Sequence, residues 1–343
     1  MKIYKNIFKD IISLENLFLA WDEFKKDKRH KDDVQKFEFN LEQNIFNLHR
    51  ELNNKTYEHG PYTNFYITDP KLRHIHKAAV KDRILHHAIY SILLPIFEPT
   101  FIPNSFSCRK GKGSHKGVDT LAKILKKVSR NNTRTCYALK CDIKKFFDSV
   151  DHCVLLDIIR KRIKDKGTIR LLENIIDSYS SNIFEKKGLP IGNLTSQLFT
   201  NIYMNELDQY IKQELKVKHY VRYTDDFVIT SNDITYLINM LKSISKFLPD
   251  KLLLQLHPKK VSIRKHSQSI DFLGYVIRPH HKLIRTKTKK RILKKLELRR
   301  TEYENDKITK YTYEQSLQSY LGVLSHANAY DFSNDLKNQF IIS

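Results

Sequence analysis

The stretch VRYTDDFVIT, residues 221–230, sets two adjacent carboxylates, Asp225 and Asp226, between two short apolar runs. Val221 and Tyr223 lead in, and Phe227, Val228 and Ile229 lead out. That pattern predicts a β-hairpin with the acids at its tip. A solvated turn is one explanation, because Asp is a good turn residue. A reactive site is the other, and it needs a third carboxylate nearby. The segment CYALKCD, residues 136–142, predicts a core strand ending at Asp142. Three carboxylates converging at strand ends cannot all stay ionised unless cations offset their repulsion. Hard divalent ions with oxygen ligands do this, and Mg²⁺ keeps open positions for water and substrate phosphates. Two such ions about 4 Å apart activate an attacking hydroxyl and stabilise a leaving phosphate oxygen. A helix N-cap or a solvated strand end is the competing reading of Asp142. Asp148 and Asp151, in DSVDH, read as helix caps.

Composition agrees with a polyanionic partner. The chain has 343 residues with 61 Lys and Arg against 38 Asp and Glu, a formal net charge of +23. Such an excess points to nucleic acid or an acidic membrane surface. Hydrophobic content of 41% is too high for a disordered chain, and the length suggests two or three structural units. Cys108, Cys136, Cys141 and Cys153 form no CxxC pair, and the histidines are not at zinc spacing to them, which predicts a reduced intracellular chain without structural zinc. The first 24 residues carry Asp10 and Glu15 inside an apolar pattern, unlike a signal peptide or a membrane span. A soluble, cytoplasmic protein is the expectation.

Along the chain, residues 1–60 read as mostly helical, with Leu14, Leu17, Phe18 and Trp21 on one packing face and Leu41, Ile45, Leu48 and Leu52 on another. NFYITD predicts a short strand. KLRHIHKAAVKDRILHHAIYSILLPIFEPTF is basic first and then an apolar helix, and FSCRKGKGSHKG reads as a loop. Residues 136–275 then alternate strand and helix. One helix there places Val154, Leu155, Ile158 and Ile159 inward, and another places Ile234, Leu237, Ile238, Leu241 and Ile244 on one face. This interleaving predicts an α+β fold on the ferredoxin-like plan. The tail, 276–343, is basic and then helical.

DIKKFFDSVDH followed by YTDD matches the order of two polymerase motifs, and four further blocks flank them. KLRHIHKAAVKDR, FIPNSFSCRKGKGSHKG, CDIKKFFDSVDH, VRYTDDFVI, QLHPKKVSI and DFLGYVI together resemble a bacterial reverse transcriptase. GLPIGNLTSQ, residues 188–197, has Ile191 and Gln197 where most such enzymes have Gln and Pro. With SYLGVLSHANAY in the tail, it resembles the enzymes of diversity-generating retroelements. Thr224 departs from that group, which usually has Met there. Group II intron enzymes usually continue into maturase and endonuclease domains, and the typical retron motifs are not evident.

The resemblance implies a right-hand polymerase: an N-terminal helical region (1–60), fingers (61–135), a ferredoxin-like palm (136–275) and a helical thumb (276–343). It implies catalysis by Asp142, Asp225 and Asp226 with two Mg²⁺ ions (Mn²⁺ the substitute), Asp142 and Asp225 as direct ligands and the Ile143 carbonyl as a further one. Lys71 and Arg73 would hold the nucleotide triphosphate, where Arg offers a bidentate fork. Phe147 would be the steric gate against a 2′-hydroxyl, with Phe146 in the core. Ile191, Gly192 and Gln197 would line the nucleotide, and Lys260 would protonate the leaving pyrophosphate. Phe272, Leu273, Gly274 and Tyr275 would turn under the primer end. Arg109, Lys110 and Lys112 would bind template backbone. Lys287, Lys289, Lys290, Arg291, Lys294 and Lys295 would follow the duplex. The expected partners are an RNA template, a DNA or RNA primer, dNTPs and a small basic accessory protein, with no membrane. A reverse transcriptase of another bacterial type, as in phage defence or a group II intron, is the alternative enzyme. A non-catalytic RNA-binding protein on the same scaffold is the alternative outside enzymes.

Overall fold

The computed structural model describes residues 2–69, 71–182 and 184–341. In chain order the elements begin with α1 (Phe8–Ile12), α2 (Leu14–Lys25), α3 (Asp32–Phe39) and α4 (Leu41–Asn53). Then come β1 (Thr63–Ile67), β2 (Arg73–Lys77), α5 (Val80–Phe97), α6 (Ser114–Val128) and β3 (Tyr137–Asp142). The middle holds α7 (Phe146–Ser149), α8 (His152–Arg162), α9 (Lys166–Asp177), α10 (Leu194–Gln209), β4 (Tyr220–Tyr223), β5 (Asp226–Ser231) and α11 (Ile234–Leu252). The last part holds β6 (Ser262–Lys265), β7 (Ile270–Phe272), β8 (Tyr275–Ile277), β9 (Lys282–Ile284), α12 (Thr286–Glu304), α13 (Lys310–Leu324) and α14 (Tyr330–Phe340). Among the described residues, no helix is long and apolar enough to cross a membrane.

The chain divides into two compact units that interleave along the sequence. One comprises Met1–Cys108, Asp142–Lys218 and Lys242–Lys260; the other comprises Arg109–Cys141, His219–Leu241 and Val261–Ser343. In the first, α5 is apolar around most of its girth and buries Ile84, Leu85, Ala88, Ile89 and Leu93, as a helix enclosed by others must. It packs against α2 and α10, and Asn16 of α2 donates to the Ala88 carbonyl at 3.0 Å. Asp82, buried at its N-terminal end, accepts from the Tyr57 hydroxyl at 2.8 Å and the Gly60 amide at 3.1 Å. Burial first, and then the Asp82 charge, push the Tyr57 hydroxyl far above its ordinary pKa. Asp151 caps α8 as expected, accepting from the Val154 amide at 3.0 Å. Asp148 does not cap; it lies inside α7, one turn before the capping position.

In the second unit four strands pair in the order β4-β5-β3-β6. With helices between the first and second and between the third and fourth strands, the order along the chain is β-α-β-β-α-β, the ferredoxin-like plan. Helix α6 packs on β4 and β5 through Val118, Leu121 and Leu125. A separate three-stranded sheet, β7-β8-β9, leads into α12, α13 and α14.

Four local expectations are corrected. RHIHK is not a lead-in to a helix but strand β2, antiparallel to β1 with Phe65 opposite Ile75. Alternation gave no signal there because β2 buries none of its five residues. The loop FSCRKGKGSHKG ends at Gly113, with Ser114 opening α6. Ile234 and Ile238 are exposed, and the buried stripe of α11 is instead Leu237, Ile244, Leu248 and Leu252, a seven- and four-residue spacing. The reading of the tail as basic and then helical omits a strand: Lys282–Ile284 adds to β8 before Thr286 begins α12.

Candidate active site

Strands β4 and β5 pair Arg222 with Phe227 and Tyr223 with Asp226, which leaves a two-residue turn of Thr224 and Asp225. Thr224 sits at φ 54°, a left-handed conformation uncommon for a β-branched residue. Arg222, fully buried in β4, donates from Nη1 to the Thr224 carbonyl at 2.9 Å and so holds the turn. Strand β5, which begins at Asp226, lies beside β3, which ends at Asp142. Lys140, two residues before Asp142 and therefore on the same face of β3, places Nζ 3.4 Å from Asp226 Oδ2. The same Nζ donates to the Asp271 carbonyl at 2.9 Å.

The main chain around Asp142 is fixed on its other side. The His257 amide donates to the Asp142 carbonyl at 2.8 Å, and the Lys144 amide donates to the Gln255 carbonyl at 2.9 Å. These two bonds flank the Ile143–Leu256 bridge and leave the Ile143 carbonyl outside it. Lys260 donates to both carboxylate oxygens of Asp142, at 2.8 and 3.0 Å.

The donors offered are carboxylate and carbonyl oxygens, which suit Mg²⁺ or Mn²⁺ and not a softer metal. Among the described residues, no group of three or more His, Cys, Asp or Glu is arranged to hold a metal.

Of the expected nucleotide residues, Ile191 and Gly192 lie against β2. The His76 amide donates to the Ile191 carbonyl at 3.1 Å, and Asn193 Nδ2 donates to the His76 carbonyl at 3.0 Å. The Leu189 amide donates to the Phe147 carbonyl at 2.8 Å. The strand that opens with Arg73, the loop 188–193 and the segment carrying Phe147 are thereby joined. Phe147 is half-buried and Phe146 is buried. Lys71, Arg73 and Gln197 are exposed.

At the expected primer turn, Phe272 pairs with Tyr275, and Leu273 and Gly274 have φ 50° and 89°. Positive φ at both central residues is the pattern of a tight type I′ hairpin. The side chains of Phe272 and Tyr275 are buried, so they support the turn and only its tip can meet a ligand. Arg285 pairs with the Asp271 carboxylate, and its amide donates to the Gly274 carbonyl at 3.1 Å. Burial lowers the Arg285 pKa, opposed by the negative charge of Asp226. Lys110 is exposed, and Arg109 and Lys112 are half-buried in the turn before α6. Lys290 is exposed on α12, whereas Lys289 and Arg291 are half-buried, Lys289 over the Phe332 ring.

Lys140, Arg222, Asp271 and Arg285 were not singled out from sequence. An arginine inside the apolar run of a strand, and a lysine at i−2 from a strand-end acid, are the signals that could have found two of them.

The comparisons with known proteins agree with this architecture. The model of the family "Reverse transcriptase (RNA-dependent DNA polymerase)" matches residues 68–277, more than half of the chain. That family carries the right-hand polymerase fold and binds an RNA template and a primer. The chain belongs to the reverse transcriptase family and is an RNA-directed DNA polymerase. It is 26% identical over 280 residues to protein YkfC of Escherichia coli, covering 71% of each chain. It is 26% identical over 309 residues to the group II intron-encoded protein LtrA of Lactococcus lactis, covering 69% of this chain and 50% of that one. It is 22% identical over 297 residues to a putative COX1/OXI3 intron 2 protein of Saccharomyces cerevisiae, covering 67% of this chain and 34% of the relative. The chain thus spans half or less of the two intron proteins.

Proposed function

We propose that this chain extends a DNA or RNA primer on an RNA template by nucleotidyl transfer at Asp142, Asp225 and Asp226. The observation that carries the reading is the adjacency of β3, ending at Asp142, to the hairpin that carries Asp225 and Asp226. When bound, a pair of divalent cations supplies activation of the primer hydroxyl and stabilisation of the leaving pyrophosphate oxygen. Asp142 and Asp225 would hold them, with the Ile143 carbonyl as a further donor, and Asp226 would support from the base of the hairpin. Lys71 and Arg73 grip the triphosphate, Phe147 excludes a 2′-hydroxyl, and Ile191, Gly192 and Gln197 shape the nucleotide site. Lys260, which donates to both carboxylate oxygens of Asp142, is the candidate proton donor to the leaving pyrophosphate. Arg109, Lys110 and Lys112 hold the template, and Lys289, Lys290 and Arg291 the duplex.

Within the family, GLPIGNLTSQ supports an error-prone enzyme of a diversity-generating retroelement that misreads template adenines, working in the cytoplasm with a small basic accessory protein. The likeness to LtrA favours a second reading, a group II intron-like enzyme of ordinary fidelity. Primer extension on a defined RNA, followed by sequencing of the cDNA, tests both. The wild type should give Mg²⁺- or Mn²⁺-dependent cDNA with errors concentrated opposite adenines. Asp225→Ala should lower the rate by at least about 10²–10³-fold, as loss of a charge-stabilising group does, while RNA affinity, set by basic surfaces, holds. Full activity in Asp225→Ala would remove the metal site. Accurate copying of adenine would remove the retroelement assignment and leave the polymerase.

A further inference from the structure

We infer that Lys140 is a positioning residue for the primer terminus, tying the hairpin that carries Asp225 and Asp226 to the hairpin that turns at Leu273 and Gly274. The inference rests on the polymerase reading above. Lys140 is central in the sheet, paired with Ser262 of β6 on one side, with β5 as its other neighbour. Its Nζ meets Asp226 Oδ2 at 3.4 Å and the Asp271 carbonyl at 2.9 Å. An exposed lysine pair contributes little, because both side chains move and solvent screens them. Here the lysine and Asp226 side chains are only 24% and 19% exposed, and the second acceptor is a main-chain carbonyl that does not swing.

The connection continues beyond Asp271. Its carboxylate is held by Arg285, whose amide donates to the Gly274 carbonyl at 3.1 Å. Asp226, Lys140, Asp271, Arg285 and Gly274 therefore form an unbroken line from one tight turn to the other. A primer end resting on the second turn is registered against the acids of the first. A polymerase needs that registration, because the attacking hydroxyl must lie at the acids and a misplacement of about 1 Å can cost about 100-fold in rate. Lys140 touches neither primer nor nucleotide in this scheme; it acts through the two hairpins.

The test compares Lys140→Met, which keeps the stem and removes the donors, with Lys140→Arg, which restores a cation. Lys140→Met should lower kcat for primer extension by about 10- to 100-fold. The dNTP KM and the dissociation constant for primer–template should stay within about two-fold, since no phosphate contact is lost. Lys140→Arg should recover most of the rate. A second readout needs neither metal nor turnover: 2-aminopurine at the primer 3′ end, bound in EDTA. Its emission should rise in Lys140→Met and in Arg285→Met, which cuts the line at its other end, and not in Lys140→Arg. Combined with Asp226→Asn, Lys140→Met should add no further loss of kcat, because both break one link. Wild-type kcat in Lys140→Met, a loss confined to primer–template affinity, or losses that multiply would each overturn the inference. If the wild type extends no primer, the polymerase reading fails, and the 2-aminopurine signal still decides whether Lys140 fixes the bound end.

Discussion

Gly192→Ala is the sharpest probe of the nucleotide site, because the structure gives it two separable costs. Gly192 has φ 115°, and an added Cβ would lie 2.9 Å from Ile75 Cγ2 on strand β2. An L-residue held at such a φ costs about 1–3 kcal/mol. The carbon–carbon approach, about 0.6 Å inside the usual contact, adds overpacking strain of about 1–3 kcal/mol. Ile75 is only half-buried and can yield, so the lower end of that second range applies. The sum, about 2–4 kcal/mol, is a large share of the roughly 5–15 kcal/mol that holds a domain folded. Read as a melting temperature, it is a fall of about 4–8 °C by circular dichroism. The protein can relieve part of the strain by parting β2 from the loop, which gives up the His76–Ile191 and Asn193–His76 bonds. That relief moves Arg73 and Ile191 away from each other, so the dNTP KM should rise while RNA affinity holds. A double-mutant cycle with Ile75→Ala separates the two costs: the steric part is recovered and the φ part is not. A Gly192→Ala protein that melts within about 1 °C of wild type with an unchanged KM would refute the reasoning. Absence of coupling to Ile75→Ala would refute its steric half alone.

Two further substitutions address selectivity. Phe147→Ala removes the half-buried ring while leaving buried Phe146 in the core, and it should raise ribonucleotide over deoxynucleotide incorporation by at least about 10-fold; an unchanged ratio of kcat/KM values would take Phe147 out of the pocket. Ile191→Gln supplies a donor and an acceptor where the wild type has neither, and the Ile191 main chain stays fixed by the His76 amide. It should lower errors opposite template adenines several-fold on one RNA template, and equal error in both proteins would acquit Ile191.

The parts of the fold written in local pattern were legible from the sequence. Period-2 runs gave β3 and the β4–β5 hairpin, and an Asp before an apolar helix gave the cap at Asp151. Strand β2 was not legible, because none of its residues is buried and RHIHK therefore shows no apolar alternation to read. The stripe on α11 was read too broadly for a similar reason: Ile234 and Ile238 are apolar yet exposed, and hydrophobicity does not by itself say which side a helix buries. Nor could periodicity reveal that each unit is assembled from three separated stretches of chain. The candidate acids stand out as a sequence pattern, whereas the contacts made to them do not. Lys140 meets Asp271 across 131 positions and Lys260 meets Asp142 across 118, and contacts of that span leave no local trace.

The second unit places bulky residues in left-handed backbone at two of its hairpin turns, Thr224 at φ 54° and Leu273 at φ 50°. Such conformations persist only where the surroundings over-determine them. Each turn has its own restraint: the Arg222 guanidinium on the Thr224 carbonyl, and the Arg285 amide on the Gly274 carbonyl beside Leu273. Arg222 shows why this restraint is robust. A fully buried guanidinium is costly unless its donors are used, and the Thr224 carbonyl takes one of them. Asp225 follows directly from Thr224 in that two-residue turn, so its backbone inherits the constraint. On the proposed reading, a carboxylate that holds a cation gains from backbone that cannot drift, because electrostatic stabilisation costs least when the group needs no reorganisation during the reaction. The buried arginine would then serve the acids without approaching the chemistry itself.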